Sequence, residues 1–122
     1  WSPNSVIEGG DALWLQPAGV AANEVIISGE VLLAATNTVS VSTGVEATGY
    51  YYPVSTLWQD TDLSAQAPGS SALHIWNGSG YTTYTKGRAG WSGNPSIDVS
   101  EGFWLETPSD FTWEEARPFN VD

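Results

Sequence analysis

Glycine and proline recur along this chain so often that no long helix has room to form. Pro17-Ala18-Gly19, Pro68-Gly69, Gly87 to Gly90 and Gly93-Asn94-Pro95 each interrupt a helical period before it reaches ten residues. Between these breaks the residues alternate or cluster as strands do. Asn37 to Ser42 alternates strictly, while Glu24 to Ser28 and Gly29 to Leu33 are short β-rich runs. Leu73 to Thr85 reads as a hairpin with β-branched and aromatic arms, turning at Asn77-Gly78, a pair that accepts positive φ at both central positions. Further strands are expected at Gly49 to Tyr52, Gly102 to Thr107 and Phe111 to Glu115. Only Asp60 to Ala67 suits a helical turn or two, with Asp60 as N-cap and Pro68-Gly69 as its stop. Many short strands at this spacing predict an all-β fold: an antiparallel β-sandwich or barrel-like domain with one short helical turn.

The chain also repeats itself. Trp1 to Gln16 aligns without a gap on Trp91 to Glu106, ninety positions on, and Trp1, Ser2, Asn4, Ile7, Trp14 and Leu15 recur identically. Glu8 and Asp98, Asp11 and Glu101, and Gln16 and Glu106 recur in kind, and Leu13 becomes Phe103. This divides the chain into residues 1–36, the closing segment of a preceding repeat packed on the same or a neighbouring unit, and residues 37–122, a complete β repeat unit. Trp1 and Trp91, and Trp14 and Trp104, are assigned to packing, with Trp14 and Trp104 expected in equivalent buried positions.

With 122 residues, one domain of ordinary size is expected. Fourteen acids against three bases give a formal charge of -11. Such a field repels phosphate backbones and anionic head groups, so nucleic acid and membrane insertion are poor partners for it. No run approaches the roughly 20 apolar residues of a membrane span. There is no cysteine, which excludes disulfides and thiolate metal sites. The absence of Met and the start at Trp1 read as a processed form or a fragment.

No constellation for catalysis stands out. His74, the only histidine, shares a strand face with Trp76, and no ligand spacing or Gly-x-Ser-x-Gly elbow accompanies it. Among fourteen acids, no pair is singled out for glycoside hydrolysis. Asp60-Thr61-Asp62 has the look of a calcium-loop fragment without its later ligands, so Asp60 and Asp62 are weak calcium candidates, and capping, the favoured reading, explains Asp60 as well. Asn77-Gly78-Ser79 fits the glycosylation pattern, but the turn already accounts for Asn-Gly. The expectation is a non-enzymatic domain with no cofactor. The aromatic residues carry a sharper alternative, because Trp and Tyr faces stack on sugar rings. Tyr50, Tyr51, Tyr52, Trp76, Tyr81 and Tyr84 are the candidates for a carbohydrate platform.

Five elements in order carry a resemblance: Gly49-Tyr50-Tyr51-Tyr52-Pro53, Asp62-Leu63, Ile75 to Tyr81 with its Trp-Asn-Gly core, Gly90-Trp91, and Glu101-Gly102-Phe103-Trp104. The chain resembles an aromatic-rich β repeat domain of large secreted and surface proteins of Verrucomicrobia and Lentisphaerae, itself related to modules in Bacteroidetes surface proteins. The match covers Asn37 to Val121, and it departs at the opening, where three tyrosines replace the usual Asn-Leu before proline. The resemblance implies a secreted or cell-surface location, a structural or adhesive role, and no catalytic residues to carry over. The expected function is therefore an extracellular building block that associates with copies of itself, into a filament or surface layer, by strand sharing. A carbohydrate-binding module that takes polysaccharide is the alternative.

Overall fold

A computed structural model describes residues 6–14 and 30–121. The run Glu24 to Ser28 and the position of Trp1 lie outside the described residues. The architecture is all-β and antiparallel, with one short helix and no closed barrel. Strands β1 (Thr36–Val41), β2 (Gly44–Gly49), β3 (Thr56–Leu57), β4 (Ala72–Trp76), β5 (Tyr81–Gly87), β6 (Gly90–Trp91), β7 (Ser96–Ile97), β8 (Gly102–Thr107) and β9 (Phe111–Ala116) follow one another in the chain. A 3-10 turn at Trp58–Asp60 and helix α1 (Asp62–Gln66) stand between β3 and β4. The main sheet has the order β2-β8-β4-β5-β6, while β1 pairs with β9 and β3 with β7.

The two layers are joined at a shared corner. β1 and β2 run against β9 and β8 as one long antiparallel ribbon, in which Val41 faces Phe111 and Gly44 faces Thr107. Between these pairs Ser42 and Thr43 oppose Pro108, Ser109 and Asp110, so the register steps by one residue and the ribbon bends from one sheet into the other. Side chains secure the bend. Thr43 N–H donates to the Asp110 carboxylate at 2.7 Å, and the buried Thr107 hydroxyl donates to the Ser42 carbonyl at 3.0 Å.

Alternation decides what the bend encloses. On β8 Phe103 and Leu105 face inward, and on β4 Leu73 and Ile75 do so. They meet Val41, Ile97, Leu63 and two fully buried indoles, Trp58 and Trp113. Trp58 lies edge-on to Trp91 and Phe103, with ring centroids 5.0 and 5.6 Å apart. Such pairs add to the burial of large apolar surface, which is the dominant stabilising term in a core of this size.

Helix α1 has five residues, too few to hold itself together. Its N-cap is Thr61, whose hydroxyl accepts Ser64 N–H at 3.0 Å; the expected cap, Asp60, ends the preceding 3-10 turn instead. The buried carboxylate of Glu115, on β9, accepts the N–H groups of Asp62 and Leu63 at 3.3 and 3.2 Å and the Trp113 indole N–H at 2.7 Å. The Tyr50 hydroxyl donates to it at 3.0 Å. At the other end the Lys86 ammonium, from β5, donates to the carbonyls of Ser64, Ala65 and Ala67 at 2.8, 2.9 and 2.7 Å. Negative charge at the helix start and positive charge at its end both suit the helix dipole.

Three sequence expectations need correction. Gly49 to Tyr52 is not a strand, since β2 ends at Gly49 and the tyrosines follow in a bend leading into Pro53. Residues 30–33 are not in a strand either. The β4–β5 hairpin forms with Trp76 facing Tyr81, but its loop is the four residues Asn77 to Gly80. Only Gly78 has positive φ, at 95°, because the Asn77 side chain accepts the N–H groups of Ser79 and Gly80 and shapes the turn itself.

Glu115 gives the first test. Glu115→Ala leaves an indole N–H, two helix N–H groups and a phenol without their acceptor inside the core, and each orphaned donor costs about 1–3 kcal/mol. Stability in urea titrations should fall by about 3 kcal/mol or more, whereas Glu114→Ala, on the exposed face of β9, should change it by about 0.5 kcal/mol or less. Tyr50 gives the second. Burial, then the neighbouring Glu115 charge, raise its pKa well above the ordinary tyrosine value. The native state therefore holds that proton more tightly than the unfolded chain does, so the contribution is whole below about pH 10 and drains away as pH rises further. Tyr50→Phe should lower stability at neutral pH and flatten the loss seen between about pH 10 and 12.

Candidate functional site

Two features of the outer surface stand apart from the core: a segment laid along the edge of β2, and an aromatic face on the main sheet. The segment is residues 8–14. Glu8 N–H donates to the Asp11 carboxylate at 2.9 Å, and Asp11 N–H donates to the Glu8 carbonyl at 3.2 Å. Ninety positions later Asp98 N–H donates to the Glu101 carboxylate at 2.9 Å, and Glu101 N–H to the Asp98 carbonyl at 3.0 Å. Each turn also has positive φ at its third residue, 91° at Gly10 and 67° at Ser100. The same turn is therefore built twice from the two copies of the repeated sequence.

The first of these turns docks on the free edge of β2. Asp11 bridges to Thr48, Gly49 N–H donates to the Gly10 carbonyl at 2.9 Å, and the Thr48 hydroxyl donates to the same carbonyl at 2.7 Å. Gly9 lies under the ring of Tyr51, where a Cβ would sit 2.8 Å from the ring's outer carbon. That ring is itself held edge-on to Trp113 at 6.2 Å.

Beyond the turn the two copies part. Trp104 stands on β8 in the body of the main sheet, half-buried, whereas Trp14 is in no strand and is 64% exposed. The expectation of equivalent buried positions fails here, because β8 has a neighbour on each side and the Trp14 segment touches only one sheet edge. Trp14 instead reaches over the sheet and meets Trp76 edge-on, with centroids 6.0 Å apart at 88°.

The outer face of the sheet, opposite the core, presents Ala47, Trp104, His74, Trp76 and Tyr81 from β2, β8, β4 and β5. Trp76 and Tyr81 face each other across the hairpin at 5.2 Å, each 44% exposed, and Trp104 Nε1–H donates to the Tyr81 hydroxyl at 3.0 Å. With Trp14 these rings border a cleft of about 260 Å³, lined also by Glu101 and Gly102.

The six aromatic residues read from the sequence do not assemble. Trp76 and Tyr81 join this cleft, Tyr84 faces the core side of β5, and Tyr50, Tyr51 and Tyr52 border a separate depression. Tyr52 is buried and donates to the Ala34 carbonyl at 3.3 Å, while the hydroxyl of Tyr50 is committed to Glu115. Tyr51 forms part of a shallow depression with Gly9, Val31 and Leu32. Trp14 and Trp104 belong to the aromatic cleft although the sequence assigned both to packing. The signal that marks Trp104 was present: alternation puts it on the opposite side of β8 from Phe103 and Leu105.

The ionisable candidates are accounted for by local structure. His74 Nδ1 lies 2.8 Å from the Thr83 hydroxyl and Nε2 lies 3.4 Å from Glu106. Hydroxyl, imidazole and carboxylate stand in the order of a nucleophilic relay. They lie on an open strand face, and the backbone of His74 and Thr83 is engaged in the β4–β5 ladder. Asp62 accepts the Ala116 N–H at 2.9 Å, and Asp60 lies exposed in the 3-10 turn. Among the described residues no three His, Asp or Glu side chains cluster as metal ligands, and no helix is long and apolar enough to cross a membrane. No protein-family model, curated protein or solved structure matches this chain.

The docked turn can be tested by crowding it. In Gly9→Val the new side chain overlaps the Tyr51 ring, which Trp113 prevents from swinging away freely, so residues 8–14 should lift from β2. Hydrogen exchange at the Gly49 amide should quicken at least tenfold, while the Leu73 amide in the core strand stays protected.

Proposed function

We infer that this chain is an extracellular structural or adhesive β-domain that associates with copies of itself by lending the segment 7–14 to the β2 edge of a neighbour. The observation that supports the reading is the turn built twice: the segment on the β2 edge has acids at the same two positions and the same hydrogen bonding as the turn that leads into β8. A repeat-closing segment and a sheet edge that accepts it are the two halves of a strand-sharing contact. Residues 15–29 join the segment to the described stretch that leads into β1, and a fully extended chain of that length reaches at most roughly 54 Å. That is far enough for the same segment to serve its own β2 or another copy's.

If each copy lends its segment to the next, the contact is head-to-tail and does not close, so it propagates into a filament or layer; reciprocal lending gives a dimer. Two other edges are blunted against pairing. β6 has two residues, too short to template pairing, and β9 is covered by α1. In this reading the domain is non-catalytic, and its secreted or cell-surface location rests on the resemblance of its five ordered elements to repeats of surface proteins.

Sedimentation of the full chain across a range of concentrations tests the reading. Oligomers should grow with concentration and dissolve on addition of excess synthetic peptide spanning Val6 to Trp14. Asp11→Pro, which removes the N–H that closes the turn, should behave as a monomer. A full chain that stays monomeric at millimolar concentration, or oligomers indifferent to the peptide, would defeat strand sharing.

A further inference from the structure

The aromatic cleft on the outer face of the main sheet is not needed for strand sharing, and it has the chemistry of a binding site. We propose that the cleft bounded by Trp14, Trp76, Tyr81 and Trp104 binds neutral hexopyranose units of a polysaccharide. Elsewhere among the described residues the large rings are buried or partly buried: Trp58 and Trp113 are fully buried and Tyr52 is nearly so. Here Trp76, Tyr81 and Trp14 keep 44%, 44% and 64% of their surface in water while touching one another. Clustered aromatic exposure of this kind marks a contact surface more often than a packing remainder.

The polar groups fit a sugar. A pyranose offers an apolar C–H face and a rim of hydroxyls, and aromatic rings with a polar tip match both. The Tyr81 hydroxyl accepts the Trp104 indole N–H, which leaves its own proton and its second lone pair for another partner. The Glu101 carboxylate, in the lining of the cleft, accepts Asp98 N–H through one oxygen, leaving the other to accept a hydroxyl. About 260 Å³ lies at the small end of ligand pockets, suited to one or two rings rather than a long rigid ligand. The rings stand at 88° and 66° to their neighbours, so they cradle a unit of a single chain and offer no flat platform to a crystalline surface.

Charge selects against acidic glycans. Of three bases, Lys86 is turned onto the carbonyls of α1, and Arg117 is held by the carbonyls of Leu33 and Phe119. Arg88 lies in the turn between β5 and β6, and it does not line the cleft. The charged group that does line it is Glu101, in a chain of net charge -11. A carboxylated or sulfated sugar would meet repulsion and no cation.

Electrophoresis of the full chain through native gels containing soluble glucan, xylan or mannan, with polygalacturonate as the anionic comparison, tests the proposal. At least one neutral polymer should retard the chain and polygalacturonate should not. Trp76→Ala and Tyr81→Ala should weaken the retardation at least tenfold, with near-ultraviolet dichroism showing a retained fold, and Tyr84→Phe on the core side of β5 should leave it unchanged. In the unaltered chain the indole N–H resonances of Trp76 and Trp104 should shift on adding an oligosaccharide of the retaining polymer, a reading that does not depend on any variant folding. The proposal is overturned if no neutral polymer retards the chain, if polygalacturonate alone does, or if both alanine variants bind as before. Self-association without polysaccharide that Trp76→Ala abolishes would also overturn it, since the cleft then takes a second copy of the chain. Loss of polysaccharide retention in Tyr81→Ala with oligomers intact separates this site from strand sharing, because Tyr81 lies on the hairpin and takes no part in the docked turn.

Discussion

The five-residue helix α1 is held in place by charges from outside itself, and the placement of both layers follows from that clamp. Glu115 reaches its first turn from β9, in the small sheet, and Lys86 reaches its last carbonyls from β5, in the large one. Neither group is in water's preferred company: Glu115 is buried, and burial lowers the pKa of Lys86. Both are stabilised because each meets several hydrogen-bonding partners of opposite polarity, the condition under which a buried charge is tolerated. A helix too short to nucleate alone thus becomes the bridge between two sheets. Its side chains work outward in turn, for Gln66 pairs with both the N–H and the carbonyl of Glu114, and Asp62 with the N–H of Ala116, as a neighbouring strand would. The edge of β9 is closed without a strand.

The second constraint is the corner where Ser42 and Thr43 oppose three residues of the partner ribbon. A single continuous ribbon would place Val41 and Leu105 on one flat sheet; the bend lets Val41 and Trp113 face Leu105, Leu73 and Ile75 across a core. Trp58 fills the space left beneath β3 and β7, where two-residue strands offer little apolar surface of their own. The density of aromatic residues in a chain without Met or Cys is thereby explained in part: a few large rings supply the volume that a longer strand set would supply with aliphatic side chains.

Much of this was legible before any coordinates. Alternation in Asn37 to Ser42 and Gly102 to Thr107 marks strands with one buried face, the punctuation by Gly and Pro excludes long helices, and Leu73 to Thr85 declares its hairpin. The misreadings share a cause, which is that local pattern does not say what lies alongside. Three tyrosines before Pro53 have the β-propensity of a strand, yet no neighbour pairs with them, and in a bend their rings go separate ways: Tyr52 inward, Tyr50 to Glu115, Tyr51 over Gly9. Glu115 was passed over as one more acid, although the alternation Phe111, Trp113, Glu115 puts it on the core face beside an indole. An ionised group on the apolar side of a strand is a strong signal, because it must find partners or destabilise the fold. The aromatic cleft was half visible, in Trp76 and Tyr81 on one side of the hairpin. Its other half comes from Trp104 and Trp14, which a repeat argument drew to the core.

That repeat argument separates two kinds of information carried by one sequence motif. The Glu8–Asp11 and Asp98–Glu101 turns are local objects: each is closed by its own carboxylate and its own backbone, with one residue at positive φ, so the motif rebuilds the turn wherever it occurs. The tryptophan three positions later is different in kind. Its burial depends on which strands stand beside it, and a motif cannot carry its neighbours along. At Trp104 β2 and β4 flank the strand; at Trp14 a single sheet edge is at hand, and the ring crosses onto Trp76. Acids alike in kind therefore give like turns, while identical tryptophans find unlike surroundings, and the difference leaves an indole of the repeat in water at the border of a cleft. A strand edge that is met by such a turn, and an aromatic face that gains a wall from the residue following it, are coupled by nothing more than the three residues between Asp11 and Trp14 inclusive of the latter. Whatever holds the turn on β2 also holds that wall in place, whether the turn comes from the same chain or from another copy.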